Sequence, residues 1–250
     1  MDVKSVGRTI DLFEAFAKAQ LPLSLSEVAR ALGAPASSCF NLLRALEARG
    51  YLYAVRPKRL YPTRKLLETA RAIAGSEPWI ERLDPFLNRL RNETRETVIL
   101  GKRQGAGVIY LDVVEGPQTI RYSARAGDLK PLHSSCIGKA LLGMLEPDEL
   151  VELMKNLTLN QVTSATITSR EKLYRDLERS QRRGYFLTAG EHVADVMAIG
   201  SGVRLDSDVY GIAIAGPMTR MRKNLSAHIA SLKAAHSSIV QLSREDERSL

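Results

Sequence analysis

Apolar residues recur at helical spacing from Val6 to Ala19, with Ile10, Leu12, Phe13 and Phe16 as the stripe, which predicts a first helix there. Ser24 and Glu27 then stand as S-x-x-E before Val28, Ala29 and Leu32, a capping box for a second helix that Gly33 stops. Pro35 suits the first turn of a third helix, in which Cys39, Leu42, Leu43 and Leu46 form one stripe and Gly50 ends the run. Ser37, Asn41 and Arg44 lie four and three residues apart on the other side of that helix, with Ser38 beside them. After Gly50, Tyr51, Tyr53 and Val55 alternate with Leu52 and Ala54, Arg56 to Arg59 turn, and Leu60 and Tyr61 return. Two helices around a tight Gly turn, followed by a basic hairpin, predict a winged helix-turn-helix.

From Pro62 the run TRKLLETARAIAG predicts a linker helix ending at Gly75. The next expected helix holds Trp79, Ile80 and Leu83, and Asp84 and Pro85 read as cap and first residue of another. The period then changes to two. TVILGK and GVIYLDVV flank RQGAG as a hairpin, and TIRYSA follows Gly116 and Pro117 as a further strand. SSCIGKALLGML and DELVELMKNL are apolar at helical spacing, and Thr168 with Glu171 form a second capping box for a helix that Gly184 ends. VMAIGSGV and VYGIAIAG read as buried strands around RLDSD, and a last helix carries Leu225, Ile229, Leu232, Ile239 and Leu242. The expectation is a two-domain α+β protein: residues 1–62 a winged helix-turn-helix, 63–76 a linker helix, and 77–250 an α/β domain with a mainly antiparallel sheet.

Charge sharpens the reading of the first segment. Of 36 Lys and Arg and 28 Asp and Glu, residues 1 to 75 hold 12 against 6 and the remainder 24 against 22. The excess is +6 in the first part and +2 in the rest, as expected where the small segment meets a polyanion. The DNA-facing candidates are Ser24, Ser37, Ser38, Asn41 and Arg44 from the helices, with Arg56, Lys58, Arg59 and Tyr61 from the wing, whose cations can lie against phosphates. No run is apolar and long enough for a membrane span and the first twenty residues mix charges throughout, so a cytoplasmic protein without membrane contact is expected. Cys39 and Cys136 are far apart and the four histidines are scattered, so neither a metal nor a cofactor is expected.

Several segments carry a family resemblance when taken in order: SLSEVARALGAPASSCFNLLRALEARGYL, RNETRETVILGKR, GVIYLDVVEGP, PLHSSCIGKALLGML, SATITSREKLYRDLERSQRRGYFL and IAIAGPMTRM. The chain resembles the IclR family of bacterial transcriptional regulators over nearly its whole length. That resemblance implies a GAF-like effector-binding domain after the linker. It further implies a homodimer or dimer of dimers acting on a double-stranded DNA operator, more often as repressor than activator, under control of a small-molecule effector. It places an effector pocket at Tyr122, Ser135, Cys136, Ile137, Thr188, Val196, Ala198, Ala213 and Ala215. The chain departs from the family pattern at Asn41, Asp195, Ala198, Gly202, Ala213 and Ala215. The last two stand where many relatives have serines, so a compact polar anion loses hydrogen-bond partners and a larger, more apolar effector such as an aromatic acid is favoured.

Two other classes bear on the same residues. His133, Ser134, Ser135 and Cys136 are nucleophile and base types close in sequence, which Asp128 or Glu191 could complete as a hydrolase triad. There is no G-x-S-x-G elbow, GKA at Gly138 to Ala140 lacks the rest of a phosphate loop, and a hydrolase leaves the basic wing unexplained, so no enzyme is expected. A metabolite-sensing module acting through protein partners would keep the pocket but leave the face of Ser37 and Arg44 idle.

Overall fold

Helix α1 (Lys4–Ala19) buries Leu12 and Phe16, while Ile10, expected in the same stripe, is 56% exposed. Ser24, at the end of the short strand β1 (Leu23–Ser24), sets the start of α2 (Leu25–Leu32). Its hydroxyl accepts from the Glu27 N–H and the Glu27 carboxylate accepts from the Ser24 N–H, the reciprocal pair the S-x-x-E spacing calls for. Gly33 closes α2 at φ 57°, a left-handed position that glycine takes without strain. Helix α3 (Ala36–Ala48) starts one residue after Pro35 and buries Cys39, Leu43 and Leu46. Strands β2 (Leu52–Arg56) and β3 (Arg59–Pro62) form the wing, with β1 pairing to β3 as a third strand that no alternation in so short a run could announce. Leu12, Phe16, Val28, Cys39, Leu43, Leu46 and Leu52 make one core. Helix α4 (Arg64–Ala74) follows the wing.

The computed structural model describes residues 3–74 and 78–247, so the expected linker end at Gly75 and boundary at Ser76 fall outside the described residues. The chain divides into two compact units, Met1–Pro78 and Trp79–Leu250.

In the second unit α5 runs unbroken over Pro78–Thr94 with Pro85 inside it, which corrects the expected new helix at Asp84. Trp79, Leu83, Leu87 and Leu90 lie on one continuous buried stripe, and that burial outweighs the backbone bond Pro85 cannot make. Strands β4 (Thr97–Gln104) and β5 (Gly107–Val114) form the expected hairpin. TIRYSA is not a strand. The edge of β5 is taken by β6 (Leu129–Pro131) and by backbone bonds between Tyr110 and Gly127 and Asp128, so the segment has no ladder to join. It is tied instead by Thr97, whose hydroxyl donates to the Tyr122 carbonyl.

Helices α6 (Cys136–Leu142), α7 (Pro147–Asn156) and α8 (Arg170–Arg183) precede strands β7 (Phe186–Ala189), β8 (Val196–Leu205) and β9 (Asp208–Pro217). The cap of α8 is Ser169, whose hydroxyl accepts from the Lys172 N–H, one residue past the expected Thr168. The chain ends with α9 (Met218–Lys223) and the long α10 (Leu225–Glu247). The strands form one antiparallel sheet in the order β6-β5-β4-β9-β8-β7. One core, built on Met197, Ile199, Val203, Ile212 and Ile214, also holds buried residues of α5, α9 and α10. The other, built on Ile99, Ala198, Ala213 and Ala215, holds α6 with residues of α7 and α8.

All seven residues of α6 are buried, Lys139 included. The helix lies on strand glycines: a Cβ at Gly101 or Gly211 would meet Ile137 at 3.2 and 2.5 Å, and one at Gly200 would meet the Cys136 sulfur at 3.1 Å. On its other side a Cβ at Gly138 would stand 2.2 Å from the Leu132 carbonyl oxygen. Backbone cannot yield there as a flexible side chain can. Gly138→Ala should therefore lower the stability of this unit by about 3 kcal/mol or more. The measurement is denaturant unfolding followed by fluorescence of Trp79, the protein's single tryptophan.

Candidate functional site

On the outward side of α3, Ser37, Asn41 and Arg44 are exposed, as their spacing predicts. The helix adds a residue the sequence reading missed: Phe40, three residues from Ser37 and four from Arg44, is 51% exposed. A phenylalanine outside the buried stripe, between two polar members of one face, is the signal that could have revealed it. Ala36, Phe40 and Arg44 share a groove of about 520 Å³ with Ser24, Ser26, Ala54 and Lys58. Lys58 stands at the wing tip with φ 65°, a left-handed backbone that costs a non-glycine residue about 1–2 kcal/mol and turns its side chain out of the strand pair. Arg56 is exposed beside it, and Arg44 pairs with the half-buried Glu47 at 3.3 Å.

Other expected DNA-facing residues are engaged within the domain. Both oxygens of Glu27 accept from the Arg59 guanidinium at 3.0 Å, and Arg59 also donates to the Pro22 carbonyl, so this cation braces the wing against α2. The Ser24 hydroxyl is occupied by its capping role, and that of Ser38 accepts from Arg8 of α1 at 2.9 Å. Tyr61 packs edge-on against Phe16 with centroids 6.0 Å apart.

All nine residues expected at the effector pocket line one cavity, together with Ile99, Tyr110, His192 and Val193, which the sequence reading did not name. Register explains the grouping. Ile99 pairs with Ala213, Thr97 and Ala198 with Ala215, and Thr188 with Ala198, so their side chains meet on one face across four strands. Burial, with the Tyr122 phenol beside it, holds the Tyr110 phenol well above its ordinary range. Burial also pushes the Cys136 thiol up to about 12, and the thiol donates to the Phe186 carbonyl at 3.5 Å. Val193 is 42% exposed at the margin. The cavity holds only about 30 Å³, room for a water or two.

The residues grouped in sequence as a possible triad are drawn to separate partners. The His133 Nε2 lies 2.9 Å from the Asn160 carbonyl oxygen, and Ser134 is 3.5 Å from His192. Ser135 caps α6, donating to the Pro131 carbonyl and accepting from the Gly138 N–H. Asp128 pairs with Lys130, and Glu191 with the fully buried Lys139 at 2.7 Å. Asp176 meets the same ammonium at 2.7 Å. A thiol this reluctant to ionise is a poor nucleophile.

The profile of the IclR helix-turn-helix domain matches residues 5–56, and that of the bacterial transcriptional regulator IclR C-terminal domain matches residues 72–241. The chain belongs to the IclR family of bacterial transcriptional regulators. It is 29% identical over 248 residues to the HTH-type transcriptional regulator BhcR of Paracoccus denitrificans, covering 97% of this chain and 86% of that one. To the HTH-type transcriptional repressor AllR of Salmonella typhi it is 30% identical over 204 residues, covering 80% and 75%. The crystal structure of Thermotoga maritima IclR superposes with a TM-score of 0.81 at 26% identity, covering 96% and 98%. An IclR homolog from Microbacterium hydrocarbonoxydans, solved in complex with 4-hydroxybenzoate, shares the fold with a TM-score of 0.74 at 21% identity, covering 96% and 99%. The exposed α3 face and wing thus belong to the DNA-binding domain of an IclR regulator, and the cavity to its effector domain. Among the described residues no helix is long and apolar enough to cross a membrane.

Hydrogen bonds from Ser24, joined by the Arg59 guanidinium, hold the Glu27 carboxyl down at about 2. A lowered carboxylate pKa stabilises the fold above the unfolded value of 4.5 and loses that contribution as pH falls toward 2. Carboxyl-carbon NMR should show Glu27 titrating near that lower limit, and Arg59→Ala should move the midpoint upward. A midpoint indifferent to that substitution would mean that the fork does not form in solution.

Proposed function

We propose that the protein is a repressor that binds its operator as a homodimer or dimer of dimers and is controlled by a small organic acid, for which an aromatic acid is the best fit. The observation that carries this reading is the joining of four strands, the Tyr122 segment and the start of α6 around one cavity. Its hydrogen-bonding groups are uncharged hydroxyls at Tyr110, Tyr122, Ser135 and Thr188, with the His192 ring beside them. Its walls are Ile99, Ile137, Val196, Ala198, Ala213 and Ala215, which suit a flat apolar body. The 4-hydroxybenzoate bound by the Microbacterium protein is a molecule of this kind.

The small volume of the cavity gives the sensor its mechanism. A ligand of that size enters only if the lining parts, so binding selects an expanded state and shifts the equilibrium toward it. Operator affinity follows where the two states hold the paired DNA-binding domains differently. The exposed Val3, Val6 and Ile10 at α1 and Leu67 and Ile73 on α4 are the apolar surfaces a second copy would cover. A dimer then reads half-sites about 34–36 Å apart or at multiples of that spacing.

At the operator Ser37, Asn41 and Arg44 reach base edges, Phe40 offers apolar contact to a thymine methyl, and Arg56 and Lys58 meet phosphates. Fluorescence anisotropy on labelled DNA from beside the gene tests this. Arg44→Ala should cost about 1–3 kcal/mol of operator binding, and Lys58→Ala should lower the salt slope by about 1. Operator affinity indifferent to both changes would assign the face to a protein partner instead. In the same assay Ala213→Leu, which fills the cavity, should abolish the response to 4-hydroxybenzoate or whichever small acid proves active.

A further inference from the structure

A second, roomier cavity lies at the other end of α6. Strand β7 pairs with β8 only from Ala189 and Met197 to Phe186 and Gly200. Strand β8 continues to Leu205, which leaves a notch at the sheet edge beyond β7. Around it stand Gly143 and Met144 after α6, Ser180, Gln181 and Gly184 at the end of α8, Phe186, Ser201 and Gly202, and Leu232, Lys233, His236 and Ser237 of α10. Its volume is about 400 Å³, within the range of small-molecule sites.

Two polar atoms in this notch lack a hydrogen-bond partner among the described residues. Ser201 is 9% exposed and its hydroxyl has no hydrogen-bond partner among the described residues. The Nδ1 atom of His236 is buried in the same condition. A buried polar atom left unpaired costs about 1–3 kcal/mol, and a valine-like residue at position 201 would avoid it. Lys233 adds a cation whose one hydrogen bond among the described residues is a long one, 3.5 Å to the Arg183 carbonyl. At the end of α8 the Ser180 and Gln181 carbonyls accept from the Gly184 N–H. Met144, Phe186 and Leu232 supply the apolar wall, and Gly202 lets Met144 lie close on the strand: a Cβ there would strike the Met144 side chain at 2.3 Å.

We infer that this notch is a second ligand site, distinct from the effector cavity, that takes a small amphipathic carboxylate with its apolar body against Met144, Phe186 and Leu232 and its carboxylate at Lys233, Ser201 and His236. The site does not rest on the effector reading, since it shares no lining residue with that cavity.

The test is NMR of the full-length protein labelled at methionine methyl and histidine ring carbons, titrated with octanoate. The Met144 methyl and the His236 ring should shift together and saturate. Lys233→Glu, a change at an exposed position, should weaken the apparent affinity at least about tenfold. Ser201→Val removes no internal bond, so it should weaken binding while leaving the unfolding midpoint by Trp79 fluorescence unchanged or higher. Shifts that never saturate, or saturation with equal affinity in wild type and both variants, would overturn the site. Operator binding plays no part in this readout, so a failure here leaves the regulator assignment standing, and the reverse also holds.

Discussion

Helix α6 can sit where it does only because the strands beneath it lack side chains. Gly101, Gly200, Gly202 and Gly211 let a fully buried helix lie on the sheet, and Gly138 lets its other side meet the Leu132 backbone. Such close contact brings Lys139 into the interior, where Asp176 and Glu191 compensate its charge. Removing one partner of a buried pair of this kind costs about 3–5 kcal/mol, because the other charge is then stranded. Burial raises the Glu191 pKa in spite of the lysine beside it. The helix is thereby pinned at three places: on the sheet, on the Leu132 backbone, and through Lys139 to α8 and the loop after β7.

That pinning places both cavities. The start of α6 forms part of the cavity lined by Tyr122 and Thr188, and the notch opens just past its end. Glu191, bound to Lys139, immediately precedes His192 and Val193 on the cavity margin, so any opening that shifts those residues pulls on the helix through an ion pair. Interiors this closely packed tend to move between discrete arrangements rather than deform smoothly. A short buried rod with a cavity at each end is well built to transmit such a change.

Much of this was legible in the sequence where local chemistry decides the outcome. The S-x-x-E box at Ser24, the Gly33 stop, the Pro35 start and the hairpin at Arg56 to Arg59 each encode their own backbone. The nine cavity residues came together from the resemblance, which carried the cross-strand register that no local pattern contains. What escaped depended on partners distant in sequence. TIRYSA alternates like a strand but finds β5 already bonded, and Pro85 looks like a helix start until the continuous stripe through Trp79, Leu83, Leu87 and Leu90 is seen. Arg59 reads as a phosphate ligand until Glu27, 32 residues earlier, is found holding it. Tyr110 and His192 were missed because their place in the cavity depends on strand pairing and loop path rather than on their neighbours in sequence.

The alternation along β8 and β9 separates two kinds of position. Ala198, Ala213 and Ala215 face the cavity, while Ile199, Ile212 and Ile214 face the core shared with α10. Adding or removing a methyl group on the first set reshapes the cavity, while the second set keeps its contacts on the opposite face. A change of side chain on the first set thus alters the shape of the cavity, and one on the second alters the packing against α10.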